Sequence, residues 1–220
     1  VVEDIVIQVG RTGVLTPKAI LKTVRIAGSN VSQATLHNID YITQKDIRVG
    51  DTVRLHKAGD IIPEIIASIP EKRSNDSRPF SMPELCPSCN EVVSRINGEA
   101  ATRCYNPDCP AQLHRSITHF ASRNAMNIEN LGENIISLFI ENKLISGVAD
   151  LYYLKKEDIS KLKKNDTKFS SNIIRSIENS KQSGLARLIY ALGIRNIGEK
   201  AGVLLAERFS DIYSLMSADE

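Results

Sequence analysis

Four cysteines fall within residues 85–109, "LCPSCNEVVSRINGEAATRCYNPDC", and the 220-residue sequence holds no others. Their spacing is Cys86-x2-Cys89-x14-Cys104-x4-Cys109. Two thiolates three positions apart can grip one metal from a tight turn, and a second pair returned by a hairpin completes a tetrahedron. Pro87 and Asn90-Glu91 suit the first knuckle, Asn106-Pro107-Asp108 the second, and Asn97-Gly98 a tight turn between them. Four soft ligands with no spare position predict structural Zn²⁺ at Cys86, Cys89, Cys104 and Cys109, with no open position for chemistry. Two disulfides or a redox Cys-x-x-Cys are the alternatives, but disulfides belong to secreted chains and nothing in this sequence looks secreted. Zinc would replace the core that so short a segment cannot build, and would rigidly join the parts on either side.

Those parts differ in period. Residues 1–70 read as short strands and tight turns: Val53 and Leu55 alternate with Thr52, Arg54 and His56, and Ile20, Val24 and Ile26 share one face of "ILKTVRIAG". "DIIPEIIASI" (60–69) is apolar on both faces, as a buried strand would be, with Pro63 marking an edge or bulge. One short helix fits within 36–47. Several strands and one helix predict a small closed β-barrel of the OB type, with a small sandwich as the competitor. Residues 71–84, with proline, serine and charge, read as a linker, and 85–110 as the finger. From 111 to 220 the apolar spacing becomes three and four, in 133–145, 170–181 and 185–194, which predicts an all-α domain. The fold class is therefore multidomain: barrel, four-cysteine finger, helical domain.

Charge announces no partner. Basic and acidic residues number 11 and 9 in 1–83, 3 and 4 in 84–115, and 14 and 13 in 116–220, for a net +2. Any nucleic-acid surface must come from local placement. No apolar run is long enough to span a membrane, and the start at Val1 reads as neither a signal peptide nor a natural beginning, so the sequence reads as a piece of a longer chain.

Several glycine turns can approach an anion. Gly10-Arg11-Thr12-Gly13 follows a strand; its glycines free the backbone, Arg11 offers a forked donor and Thr12 a hydroxyl. On the residues alone an ordinary β-turn with a solvated arginine explains it as well. Lys57-Ala58-Gly59-Asp60-Ile61-Ile62 is a positive tip that a plain hairpin also explains. In the helical part, "NLGEN" (130–134) and "LGIRNIGEKAG" (192–202) set Gly132, Gly193 and Gly198 in turns before new helices, where N–H groups and the helix dipole favour an anion. Arg195 and Lys200 add charge beside the second. Two such turns suggest helix-hairpin-helix units gripping a nucleic-acid backbone without reading bases; simple helix packing is the alternative. Tryptophan is absent and Phe and Tyr total 11, too few near the barrel for a single-strand stacking platform, so duplex backbone is the preferred target. His37, His56, His114 and His119 are assigned no role.

The order of parts is more specific than any part. "QVGRTG", "SQATLHN", "AGDIIPEI", the cysteine spacing and "ALGIRNIG" together resemble the bacterial NAD⁺-dependent DNA ligases over essentially the whole sequence. The resemblance implies a monomeric, cytoplasmic, nucleoid-associated enzyme of replication and repair that seals nicks in double-stranded DNA, using NAD⁺ and Mg²⁺ bound outside these residues. It implies DNA contact by Arg11, Thr12 and Gly13 in the first turn, by Lys57, Ile61 and Ile62 in the second, and by Gly132, Gly193, Arg195, Gly198 and Lys200 in the hairpins. The family's Lys-x-Asp-Gly nucleophile motif does not occur, nor do its NAD⁺-gripping segment and BRCT domain, so no catalytic residue is expected here and the piece is predicted inactive alone. A second hairpin expected around "LKKNDTKFSSN" lacks glycine; Lys163, Lys164 and Lys168 are its candidate contacts, and position 57 is Lys where Arg is common. A non-enzymatic OB and zinc-ribbon adaptor for RNA or single strands, and a purely structural module, are the competing readings.

Overall fold

The computed structural model describes residues 1–162 and 166–219, and they form two compact units, 1–112 and 113–220. The first unit is built from β1 (Val2–Val9), β2 (Leu15–Ile26), β3 (Ser29–Thr35), α1 (Ile39–Gln44), β4 (Arg48–Val49), β5 (Val53–Ala58), β6 (Ile62–Ser68), β7 (Arg78–Pro79), β8 (Val93–Arg95) and β9 (Thr102–Cys104). Strand order in the main sheet is β1-β2-β3-β6-β5, antiparallel except where β3 meets β6 at Thr35 and Glu64. Val2 donates its N–H to the Asp51 carbonyl at 2.9 Å and accepts from Gly50 N–H at 2.9 Å, so β1 closes on the chain entering β5. That is an OB-type barrel, as the strand periods predict.

Its core is Val2, Ile5, Ala19, Leu21, Val31, Ala34, Leu36, Ile42, Ile47 and Ile65. Two expectations change. The inward face of β2 is Leu15, Pro17, Ala19 and Leu21, while Val24 is 41% exposed. The register shifts between Ile20 and Val24, a bulge that breaks a simple alternation. Likewise β6 buries only Ile65; Ile61 and Ile62 stand at a hairpin tip, and Ile66 is also exposed. The helix in 36–47 forms as α1, started by Asn38, whose Oδ1 accepts from Tyr41 N–H at 2.9 Å.

Residues 71–84 lie against the barrel. Arg73 donates to both carboxylate oxygens of Asp51, at 2.8 and 2.9 Å, and Asp51 is buried at 1% exposure. Asp51 also accepts from Arg48 N–H and Ser77 Oγ. Phe80 packs on the barrel core and Met82 on the finger.

The second unit holds α2 (Pro110–Ala121, which begins in the first unit), α3 (Glu133–Glu141), a 3₁₀ turn (Ala149–Tyr153), α4 (Lys156–Leu162), α5 (Thr167–Ser180), α6 (Leu185–Ala191), α7 (Glu199–Arg208) and α8 (Ile212–Met216). One cluster joins α2 to α6, with Ile117, Phe120, Ile136, Phe139, Leu151, Ile159, Ile173 and Ile177 buried; among the described residues, α7 and α8 contribute none to it. No helix among the described residues is long and apolar enough to cross a membrane.

Candidate metal centre and nucleic-acid interface

The finger is a short hairpin, β8 and β9, flanked by two knuckles. In the first, Asn90 takes a left-handed conformation (φ 60°), its N–H donates to Cys86 O at 2.9 Å, and Cys86 N–H donates to Glu91 O at 2.8 Å. In the second, Asn106 accepts Asp108 N–H on its side chain at 2.9 Å and Cys109 N–H on its carbonyl at 3.2 Å. Between them Gly98 (φ 89°) forms the turn, closed by Glu99 N–H to Ile96 O at 3.0 Å. These local bonds aim four thiols at one point.

All four sulfurs lie within 4.8 Å of one another, with Cys86–Cys109 at 3.9 Å and Cys89–Cys104 at 3.5 Å. Zn–S bonds of about 2.3 Å in a tetrahedron require S···S edges of about 3.8 Å, so the donor set fits zinc. Neither short contact is a disulfide, and all four cysteines are free thiols. Backbone N–H donation at Glu91 leads the effects that bring the Cys89 thiol down to about 7. Burial pushes the Cys104 thiol up to about 12 and raises Cys86 too, the direction that a cation bound between the sulfurs would reverse.

The Gly10–Gly13 turn caps the β1–β2 hairpin, with Gly10 N–H to Val14 O at 2.8 Å and Gly13 N–H to Gly10 O at 3.0 Å. Gly13 (φ 76°) faces inward: a Cβ there would sit 2.0 Å from Cys104 O, so its glycine is required by the finger. Thr12 is exposed. Arg11 is half-buried, and its Nη1 is buried without a hydrogen-bond partner among the described residues. A buried donor with no acceptor is costly unless a further group completes it.

At the β5–β6 tip Gly59 (φ 56°) and Asp60 (φ 61°) turn the chain, leaving Ile61 78% and Ile62 53% exposed beside half-buried Lys57. Two bare isoleucines on a tight turn contribute nothing to the core.

In the second unit Gly132 and Gly198 are the N-caps of α3 and α7, and neither has any atom within 4 Å of a Cβ built upon it. Gly193 (φ 66°) and Asn196 (φ 66°) shape the intervening turn, and Arg195 and Lys200 are exposed there. Glu199 in the first turn of α7 opposes an anion locally. Arg123 and Asn127, which the sequence did not single out, stand in the same region. Both line a cavity of about 320 Å³ with Arg187, Tyr190 and Glu199, and both line a second one that reaches Gly132. Their segment, "SRNAMN", carries no glycine and no period that would mark it. Lys163 and Lys164 lie outside the described residues; Lys168 is exposed in the first turn of α5.

A closed β-barrel, a four-thiol finger and helices turned by glycine, in that order, define an OB-fold, zinc-finger and helix-hairpin-helix chain. Family comparison matches the same parts: the NAD-dependent DNA ligase OB-fold domain over 1–77, the NAD-dependent DNA ligase C4 zinc finger domain over 86–111, and a helix-hairpin-helix motif over 187–220. A protein named DNA ligase from Clostridioides difficile is 54% identical over 215 residues, 98% of this chain and 32% of its own length. One from Acetivibrio thermocellus is 54% identical over 220 residues, covering 99% and 33%, and one from Lacticaseibacillus paracasei 50% over 220, covering 100% and 33%. Over these residues the chain belongs to the NAD-dependent DNA ligase family. It spans about a third of the length of the curated relatives it matches.

Proposed function

We propose that this chain is the duplex-holding portion of a bacterial NAD⁺-dependent DNA ligase, a monomeric cytoplasmic, nucleoid-associated enzyme that seals 5′-phosphate/3′-hydroxyl nicks during replication and repair. What supports this most is identity of 54% to a protein named DNA ligase across barrel, finger and helices together. Domain limits of 1–70, 71–84, 85–110 and 111–220 follow from the sequence periods. Nucleotidyl transfer from NAD⁺, with Mg²⁺ neutralising phosphate charge, belongs to residues outside this chain, since no Lys-x-Asp-Gly occurs in it. The part of this chain is to bind and orient the duplex.

Each role has a physical basis. Arg11 is only half-buried, so part of its guanidinium fork stays open to a phosphate oxygen, and Thr12 offers a hydroxyl beside it. Lys57 contributes charge, less directionally than a guanidinium would. Ile61 and Ile62 present an apolar edge suited to a groove wall. Gly132, Gly193 and Gly198 let a backbone approach helix N-termini, with Arg195 and Lys200 beside the last. Cys86, Cys89, Cys104 and Cys109 hold structural zinc.

Fluorescence anisotropy on nicked duplex, intact duplex and single-stranded DNA across a salt series tests this. Duplex should bind more tightly than single strands, and Arg11→Ala should weaken binding and flatten the log K against log salt slope by about 0.9. Preference for single strands would favour the adaptor reading, and an Arg11→Ala protein with unchanged affinity and slope would remove that residue from the interface.

A further inference from the structure

The Gly10–Gly13 turn is held from outside itself. Cys104 N–H donates to the Gly13 carbonyl at 2.9 Å, and Val14 pairs with Arg103 as an isolated antiparallel bridge. Strand β9 thus lies flush against the turn, leaving no room for a Cβ at Gly13. From that strand the Arg103 side chain, 11% exposed, sends Nη1 to the Thr12 carbonyl at 3.3 Å and to Thr12 Oγ1 at 3.5 Å. Its Nε donates to Glu99 Oε2 at 3.1 Å, so its charge is neutralised locally.

This geometry has a chemical consequence. A hydroxyl carries one proton and two acceptor lone pairs. Arg103 has only protons to give, so it engages a lone pair of Thr12 Oγ1 and leaves that hydroxyl's proton free to point elsewhere. The same guanidinium nitrogen fixes the Thr12 carbonyl, and with it the plane of the Thr12–Gly13 peptide. Being nearly buried and already paired, Arg103 is badly placed to meet a phosphate itself.

We propose that Arg103 is a positioning residue: it donates to the carbonyl and to the hydroxyl oxygen of Thr12, so that the Thr12 hydroxyl proton is left to serve as an outward donor to a phosphate oxygen of the duplex. This rests on the reading that the Gly10–Gly13 turn meets the duplex. The finger then contributes to DNA binding by orienting a residue of the barrel, without touching DNA at Arg103.

The test is a double-mutant cycle in the zinc-loaded protein, with Arg103→Gln, Thr12→Val and the pair, read as duplex affinity across a salt series beside Arg11→Ala. Losing one charge-assisted hydrogen bond to a phosphate oxygen should weaken binding about tenfold or more. Arg103→Gln and Thr12→Val should each give that loss, the pair no more than either alone. The salt slope should stay at the wild-type value in all three, because no phosphate-neutralising charge is removed, while Arg11→Ala lowers it by about 0.9. The proposal is overturned if Arg103→Gln binds like wild type while Thr12→Val does not. Fully additive losses would also overturn it, and a slope change of about 0.9 for Arg103→Gln would make Arg103 a direct contact instead. If Arg11→Ala and Thr12→Val both bind normally, the underlying reading of the turn fails, and the proposal with it. Should Arg103→Gln not take up one zinc per chain, Arg103→Lys replaces it in the same cycle, keeping the charge but lacking the fork.

Discussion

Gly198 and Gly202 lie one helical turn apart and are glycine for opposite reasons. A Cβ on Gly202 would come 2.7 Å from the carbonyl oxygen of Ala186, a backbone atom of α6, so α6 and α7 can be this close only without it. Gly202→Ala should therefore cost about 1–3 kcal/mol, as overpacking does, read as a shift in urea midpoint at unchanged slope. Gly198 meets nothing, and its φ of −91° is open to any residue. Gly198→Ala should cost less than about 1 kcal/mol as a poorer N-cap, yet weaken duplex binding if a phosphate approaches there. A destabilised Gly198→Ala protein with normal affinity would return that glycine to a structural role. The sequence drew attention to Gly193 and Gly198 but not to Gly202, because only the packed helix pair shows which glycine is crowded. Gly13 carries the same lesson. Its turn was legible as a ligand-approaching loop, but its own Cα faces Cys104.

At the level of elements, period and turn chemistry located most of what forms. The Asn97-Gly98 turn, the short helix after Asn38 and the amphipathic helices α3, α5 and α6 follow from local residues alone. What local residues do not carry is pairing at a distance. Arg73 reaches Asp51 from 22 residues away, so a stretch of linker composition is tied to a buried carboxylate. The bulge in β2 likewise interrupts the alternation, and Ile61 and Ile62 are exposed because they stand at a tight hairpin tip. One connection makes a pH prediction. Asp150 Oδ2 accepts Ser146 N–H at 2.7 Å, Ser146 Oγ at 2.8 Å and Gly147 N–H at 3.1 Å, closing the turn after α3. Donation from the Ser146 backbone, first of these, holds its carboxyl below the ordinary 3.8. A depressed folded value means the closure is complete above the unfolded value and is lost as pH falls through the folded one. Amide shifts of Ser146 and Gly147 should accordingly titrate with a midpoint below 3.8; a midpoint at or above it would show that the carboxylate is not held.

For the whole molecule, the metal centre is where composition and architecture meet most directly. The spacing of four cysteines specified a tetrahedral site, and the fold brings their sulfurs within 4.8 Å. Which surface the finger leans on was not legible, since it depends on Val9 and Leu15 of the barrel packing around Cys86, Cys104 and Cys109. That packing decides what chelation does. The barrel core shares no buried residue with the finger cluster, and the helical unit has a core of its own. Removing zinc should thus leave sheet and helix content largely in place while the finger loses the ligand that substitutes for a core. Strand β9 would then release Gly13 O and Thr12, carrying the loss into the barrel turn. Hydrogen exchange of the chelated protein should deprotect 85–109 and 10–14 and leave 113–162 unchanged, with duplex affinity falling alongside. Deprotection confined to 85–109, with 10–14 still protected, would mean that the turn holds itself and that the finger's grip on it is dispensable.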